Sequence, residues 1–291
     1  MRLLQEFGVC DCHSHVFGPF DRFPLSDERT YTPPESPIGD LEAVWSELGI
    51  DRAVLIQGSA HGQDHRALLD ALSRAPSRRR GIALVPDTIS DAQLLELHAA
   101  GIRGIRFNWV HHLLGKSALS EATRLANAAA LLERVSSLGW HAEIHIDVDD
   151  MSLVRRLEVP SGMVIVIDHM ARPDVASNGH QSQLQSLLGL LKHDFIWLKL
   201  SGADRVASRS GELQDALPLM RSIVQEASDR CVWGLDWPHV NLSKRSDDGE
   251  LARLLLKVTD DESTLRKILI RNPEKLYGFS SQSTAGAHAS P

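Results

Sequence analysis

Two short segments of this 291-residue chain hold ionisable groups inside otherwise apolar stretches. One is Val9-Cys10-Asp11-Cys12-His13-Ser14-His15 and the other is Val232-Trp233-Gly234-Leu235-Asp236-Trp237-Pro238-His239. Residues two apart on a strand share a face, so His13 and His15 project together from one strand end toward a common site. Imidazole pairs presented in this way bind a metal ion or polarise a substrate. A carboxylate that closes an apolar strand, as Asp236 does, is placed to orient and deprotonate water. Together these groups suit attack of water on a carbonyl, with imidazoles stabilising the charge that develops on oxygen.

Such groups cooperate only if the fold brings the two segments side by side. Short β-branched runs alternate with longer amphipathic stretches along the chain, the pattern of βα units around a parallel sheet. Strands are expected over 8–13, 52–57, 81–86, 102–108, 140–146, 163–169, 195–201 and 231–236. Helices are expected over 39–49, 63–74, 90–100, 120–138, 150–157, 181–192, 211–228, 249–258 and 261–271. The fold class is therefore α/β, a single distorted (β/α)8 barrel spanning 1–279, with 280–291 as a disordered tail. In such barrels the site lies where the strands end. The strand ends carry His13 and His15, then Gln57-Gly58-Ser59, Arg106-Phe107-Asn108, His145-Ile146-Asp147, Asp168-His169, Lys199-Leu200-Ser201 followed by Arg205, and Asp236.

Segment 16–38 contains Pro19, Pro24, Pro33, Pro34 and Pro37, which forbid a regular helix, so a long loop follows the first strand. The formal charge of −7 argues against nucleic acid or an anionic membrane as partner. No stretch approaches the roughly 20 apolar residues of a membrane helix, and the start lacks a leader-like apolar core. Three cysteines cannot build a disulfide framework, and the odd count suits the cytoplasm. Cys10 and Cys12 are expected as packing residues on the strand face opposite to His13 and His15. Arg78-Arg79-Arg80 is expected as a solvated turn before the third strand. His61, His65, His111 and His112 fall in loops after strands, where binding and plain exposure are both open. The assembly is expected to be a monomer or homodimer.

The blocks Asp11-Cys12-His13-Ser14-His15-Val16-Phe17-Gly18-Pro19, Arg29-Thr30-Tyr31-Thr32-Pro33-Pro34, Arg106-Phe107-Asn108, Asp168-His169-Met170-Ala171-Arg172-Pro173-Asp174, Ser201-Gly202-Ala203-Asp204-Arg205 and Trp233-Gly234-Leu235-Asp236-Trp237-Pro238-His239 resemble the amidohydrolase superfamily, and within it a branch of lactonases acting on carboxylated pyrones. The likeness runs from about residue 8 to 278. It implies hydrolysis of a lactone ring, with Asp236 as general base and His13, His15 and His169 around the carbonyl. It also implies that Arg106 and Arg205 hold substrate carboxylates, helped by Tyr31, Ser59, Arg172 and His145. Guanidinium is the natural bidentate partner of carboxylate, which agrees. No cofactor is required on this resemblance. The alternative is one Zn²⁺ on His13, His15, His145 and Asp236, since imidazole and carboxylate donors with an open position suit that ion. Rival activities are a sugar-acid or sulfomuconolactone-type lactonase, a Zn-dependent decarboxylase and a non-catalytic binding barrel.

Overall fold

The computed structural model describes residues 2–6, 8–114, 119–207, 211–242 and 245–280. Residues 281–291, nearly all of the expected tail, lie outside the described residues. Eight parallel strands form one sheet in sequence order: β1 (Cys10–Ser14), β2 (Arg52–Ile56), β3 (Arg79–Ala83), β4 (Ile102–Asn108), β5 (His141–His145), β6 (Ile165–Ile167), β7 (Ile196–Leu200) and β8 (Cys231–Trp233). Between and after them run α1 (Ile38–Leu48), α2 (Arg66–Ser73), α3 (Asp91–Ala99), α4 (Glu121–Ser136), α5 (Ser152–Arg156), α6 (His180–Leu190), α7 (Ala203–Val206), α8 (Leu217–Ala227), α9 (Asp248–Leu255), α10 (Glu262–Arg266) and α11 (Asn272–Tyr277). This is the expected (β/α)8 barrel. It closes where the chain beyond β8 meets β1: His13 O accepts from Asp236 N at 2.7 Å, and His15 N donates to Trp237 O at 2.8 Å.

The strands read as apolar runs because a parallel sheet covered by helices is buried on both faces. One face, including Leu55, Ile105, Ile144, Ile167 and Leu198, packs under the helices. Helix α1 shows how they dock, burying Ile38, Leu41, Trp45 and Leu48 at helical spacing and ending at Gly49 in the left-handed conformation. The other face fills the barrel interior with Cys10, Cys12, Val54, Ile56, Ile82, Val166, Trp197 and Val232. Tyr277 and Phe279 join that inner cluster from the far end of the chain. They close the floor of the barrel, and the Tyr277 hydroxyl donates to Glu143 Oε1 at 3.2 Å.

Two sequence expectations change. Arg79 and Arg80 belong to β3 and are buried; only Arg78, paired with Asp51, remains at the surface. Arg79 donates to Ala71 O and to Glu42, while Arg80 donates to Pro76 O and Gly278 O and lies over the Phe279 ring at 4.7 Å. Carbonyls, a carboxylate and an aromatic face replace the water that a run of arginines ordinarily keeps. Cys10 and Cys12 are packing residues, but they line the same interior that His13 enters higher up. The pairing of β1 with β2 slips between Asp11 and Ser14, and that bulge absorbs the parity which would otherwise have set them on opposite faces.

Candidate active site

Asp11 anchors the rim at the β1–β8 seam. Its carboxylate accepts from His13 N at 3.1 Å, Leu235 N at 3.0 Å, Trp45 Nε1 at 2.9 Å and the Ser14 hydroxyl. The seam is tight: a Cβ on Gly234 would lie 2.4 Å from His13 N, so only glycine lets the two segments meet. Beyond it Asp236 adopts φ 65, and after β6 the residues His169 to Arg172 all take positive φ between 50 and 58. Each such non-glycine residue costs about 1–2 kcal/mol, and strain of this kind gathers where side chains are aimed for function. A Cβ ideally placed on Gly202 would reach 2.9 Å from His169 Nδ1, so the β7 loop also gives way to this histidine.

The seam, the β6 turn and α7 bring Asp236 among the histidines. His13 Nε2 and His15 Nε2 lie 3.7 and 3.6 Å from Asp236 Oδ1, and His169 Nδ1 lies 3.9 Å from Oδ2. His15 donates from Nδ1 to Ile56 O at 3.0 Å, which fixes the ring with its Nε2 toward the Asp236 carboxylate. His169 Nδ1 is 3.0 Å from Ser201 Oγ. The His145 ring stands 5.0 Å from that of His169, and both of its nitrogens are buried without a hydrogen-bond partner. Burial drives the His13 pKa down to about 4 with help from the Lys199 charge, and it drives those of His145 and His169 well below the usual range. The three rings are therefore neutral near pH 7, able to donate one hydrogen bond each. Burial pushes the Asp236 pKa up, but the Arg205 guanidinium and the surrounding histidines outweigh it, and the carboxyl stays well below the usual range.

Each expected carboxylate-binding arginine already faces a protein acid. Arg205 Nε donates to Asp236 Oδ2, Arg106 Nε donates to Asp168 Oδ2 at 2.8 Å, and Arg172 lies 3.3 Å from Asp147. Tyr31, carried over the site by the Pro-rich loop, lies near both Arg106 and Arg205, and its hydroxyl accepts from Ser59 Oγ at 3.4 Å. The loop is held by the pairing of Phe17 with Ser36, through bonds of 2.9 and 2.7 Å. Beyond Arg106 and Asn108 a cavity of about 410 Å³ runs toward α4, lined by Trp109, Leu113, Leu114 and Arg124. Of the loop histidines, His61 and His65 bond to Pro24 O and Leu84 O, whereas His111 and His112 are exposed.

Of the charges beneath this mouth, the sequence places Lys199 and Asp168 at strand ends without giving them a role, and Glu143 is missed. Lys199 ion-pairs with Glu143, its Nζ lies 3.4 Å from Asp168 Oδ1, and none of the three is exposed to solvent. The signal was available: a lysine inside Ile196-Trp197-Leu198-Lys199-Leu200 and a glutamate inside His141-Ala142-Glu143-Ile144-His145 are charges of opposite sign in buried strands, which must find partners. His239 was passed over as well; it bridges Asp204 at 3.2 Å and Asp248 at 2.9 Å and so ties α7, which bears Arg205, to α9.

Two groups among the described residues converge as a metal would require, with donor atoms within 4.8 Å of one another: His13, His169 and Asp236, and His13, Glu143 and Asp168. The first takes His169 in place of the expected His15 and His145. Its composition fits one divalent ion, since His13 Nε2 and Asp236 Oδ1 are buried and without hydrogen-bond partners. The second already surrounds the Lys199 ammonium.

Imidazoles and a carboxylate gathered at the C-terminal mouth of an eight-stranded barrel define a barrel hydrolase of the amidohydrolase type. The chain belongs to the amidohydrolase family, whose model matches residues 10–279. It is 35% identical over 280 residues to a 2-pyrone-4,6-dicarboxylate hydrolase of Comamonas testosteroni, covering 93% of this chain and 90% of that one. It is 34% identical over 291 residues to a 4-sulfomuconolactone hydrolase of Hydrogenophaga intermedia, covering 96% and 91%. A crystal structure from Pseudomonas putida, presented as a candidate 2-pyrone-4,6-dicarboxylic acid hydrolase, superposes with a TM-score of 0.82 at 30% identity, covering 95% of this chain and 100% of that one.

Proposed function

We propose that this chain is a hydrolase that opens the ring of a carboxylated lactone, of the 2-pyrone-4,6-dicarboxylate kind, in the breakdown of aromatic compounds. The observation that carries the proposal is Asp236, buried and ionised, with one oxygen facing His13 and His15 and the other held by Arg205. The names of both relatives denote lactones bearing acid groups that are anionic at neutral pH, and Arg106 and Arg205 are the cations that suit such groups.

In this reaction the oxygen of a water molecule attacks the ring carbonyl carbon while one of its protons passes to Asp236 Oδ1. The carbonyl electron pair moves onto oxygen, where N–H groups of His13 and His169 receive it. Collapse of the adduct breaks the bond from the carbonyl carbon to the ring oxygen. The proton held by Asp236 then goes to the departing oxygen, leaving a carboxylic acid and an enol. A carboxylate of the substrate draws Arg205 toward itself, which loosens the grip of that guanidinium on Asp236 and strengthens the base. Arg106 offers its outer N–H groups to a second carboxylate, with Tyr31, Ser59, Arg172 and His145 completing the lining.

The reaction so written needs no metal. A divalent ion held by His13, His169 and Asp236 would supply Lewis-acid polarisation at the same mouth. Cytoplasmic location fits three free, buried cysteines, and no helix among the described residues is long and apolar enough to cross a membrane. The test is a panel of carboxylated and neutral lactones read by pH indicator, with protein expressed in metal-depleted medium and chelated. Turnover of carboxylated lactones with under about 0.1 Zn per chain is the expected result. Activity that tracks added Zn overturns the metal-free form, and no turnover of any lactone overturns the activity itself.

A further inference from the structure

Lys199 has no place in the chemistry above, yet it is a fully buried cation one layer below the reacting groups. Its ammonium is pinned by Glu143, whose other oxygen accepts from the Tyr277 hydroxyl at 3.2 Å and lies 3.4 Å from His141 Nε2. From there Nζ reaches His13 Nδ1 at 3.2 Å. An ammonium has three donors and no acceptor, so the nitrogen it faces must offer a lone pair. A neutral imidazole carries one N–H, which then falls on Nε2. Nε2 is buried and without a partner, and at 3.7 Å from Asp236 Oδ1 it is too far to be satisfied there. The opposite tautomer would direct Nδ1–H toward Asp168 Oδ1 at 3.3 Å. It would satisfy that otherwise unpartnered oxygen, but it would also set the same hydrogen against the ammonium, which itself lies 3.4 Å from Asp168 Oδ1 and already gives that carboxylate an opposite charge.

We propose that Lys199 is a positioning residue that fixes His13 as an Nε2–H donor aimed into the site, at the oxygen that gains charge, and that the same contact opposes a divalent ion at His13. Identifying that oxygen as the lactone carbonyl rests on the function proposed above; the tautomer does not. Ligation through Nε2 needs the proton on Nδ1, facing Lys199, so an ion enters only by turning the lysine away. The chain thus carries in Lys199 an internal cation where one of the two converging donor groups would otherwise attract an external one.

The test begins with the full chain labelled with ¹⁵N-histidine, the His13 signals being assigned from their loss in His13→Asn. The expected spectrum has His13 protonated at Nε2 and bare at Nδ1, with or without substrate; protonation at Nδ1 overturns the proposal. Because Lys199→Met alone strands Glu143, the variant compared is Lys199→Met with Glu143→Gln, which removes both charges together. Its Zn²⁺ affinity, measured by competition with a chromophoric chelator, should rise by about tenfold or more. On a lactone the wild type turns over, kcat should fall by about 10²-fold while KM stays within about threefold. Unchanged Zn²⁺ affinity, or a loss confined to KM, would show that Lys199 only fills the core. Should no lactone be hydrolysed by the wild type, the function fails while the spectrum and the Zn²⁺ titration still decide this proposal.

Discussion

Replacing Asp236 with Asn keeps the shape of the side chain and removes both its charge and its ability to take a proton. A positioned general base is worth about 10²–10⁴ in rate, which is about 2.7–5.5 kcal/mol of activation free energy. Where in that range the loss falls depends on Arg205. In the structure its Nε bonds to Asp236 Oδ2, and this charge holds the carboxyl well below its usual range, making it a weak base. A neutral lactone leaves that pair intact, so Asp236→Asn should cost near the lower limit, about 10²-fold in kcat. A dicarboxylated lactone engages Arg205, restores basicity to Asp236, and should lose about 10³–10⁴-fold. Binding of the dicarboxylate, followed by calorimetry, should stay within about tenfold because Arg106 and Arg205 are retained. The assay is initial rates with a pH indicator at fixed ionic strength, on protein shown by near-UV circular dichroism to be folded. If the variant keeps more than about a tenth of wild-type kcat on the charged substrate, Asp236 is not the base. If charged and neutral lactones lose the same factor, Arg205 does not govern its strength.

Arg106→Met should lower kcat/KM by about 30-fold or more for a dicarboxylated lactone and far less for a neutral one; equal losses would mean that Arg106 serves only to hold Asp168. Burial lowers the His239 pKa, but its bonds to Asp204 and Asp248 win and raise it from 6.5 to about 9. Because the folded value is the higher one, its stabilising contribution is complete below pH 6.5 and disappears as pH rises through about 9. Thermal unfolding followed across that window should show the decline in the wild type and a flatter profile in His239→Gln, and parallel profiles would refute it. Gly234→Ala should destabilise by about 1–3 kcal/mol or more, since the added methyl meets main chain that cannot swing aside; a denaturant midpoint equal to wild type would show that the β1–β8 seam yields.

The barrel and its polar mouth were legible because both rest on local pattern. Apolar runs at strand length, glycine stops such as Gly49 and ionisable residues at successive strand ends need no knowledge of distant contacts. What escaped depended on partners far along the chain. Arg79 and Arg80 look solvated until Glu42, Gly278 and Phe279 are known to meet them. The side taken by Cys10 and Cys12 turned on a bulge in β1, which alternation alone does not reveal. Lys199 and Glu143 were visible as misplaced charges, but their pairing across the interior, and the hold of Lys199 on His13, came only with the closed barrel. The same holds for Arg205, whose guanidinium was read against substrate and meets Asp236 first.

The floor of the barrel bears on the order in which the enzyme is made. Every strand precedes Tyr277 in the chain, yet the Tyr277 hydroxyl supports the glutamate that pins Lys199, and Phe279 covers Arg80. A nascent chain that has paired all eight strands therefore still has an open floor and an unbraced charge network. A chain cut short of α11 would keep its histidines and Asp236 while lacking the brace beneath them.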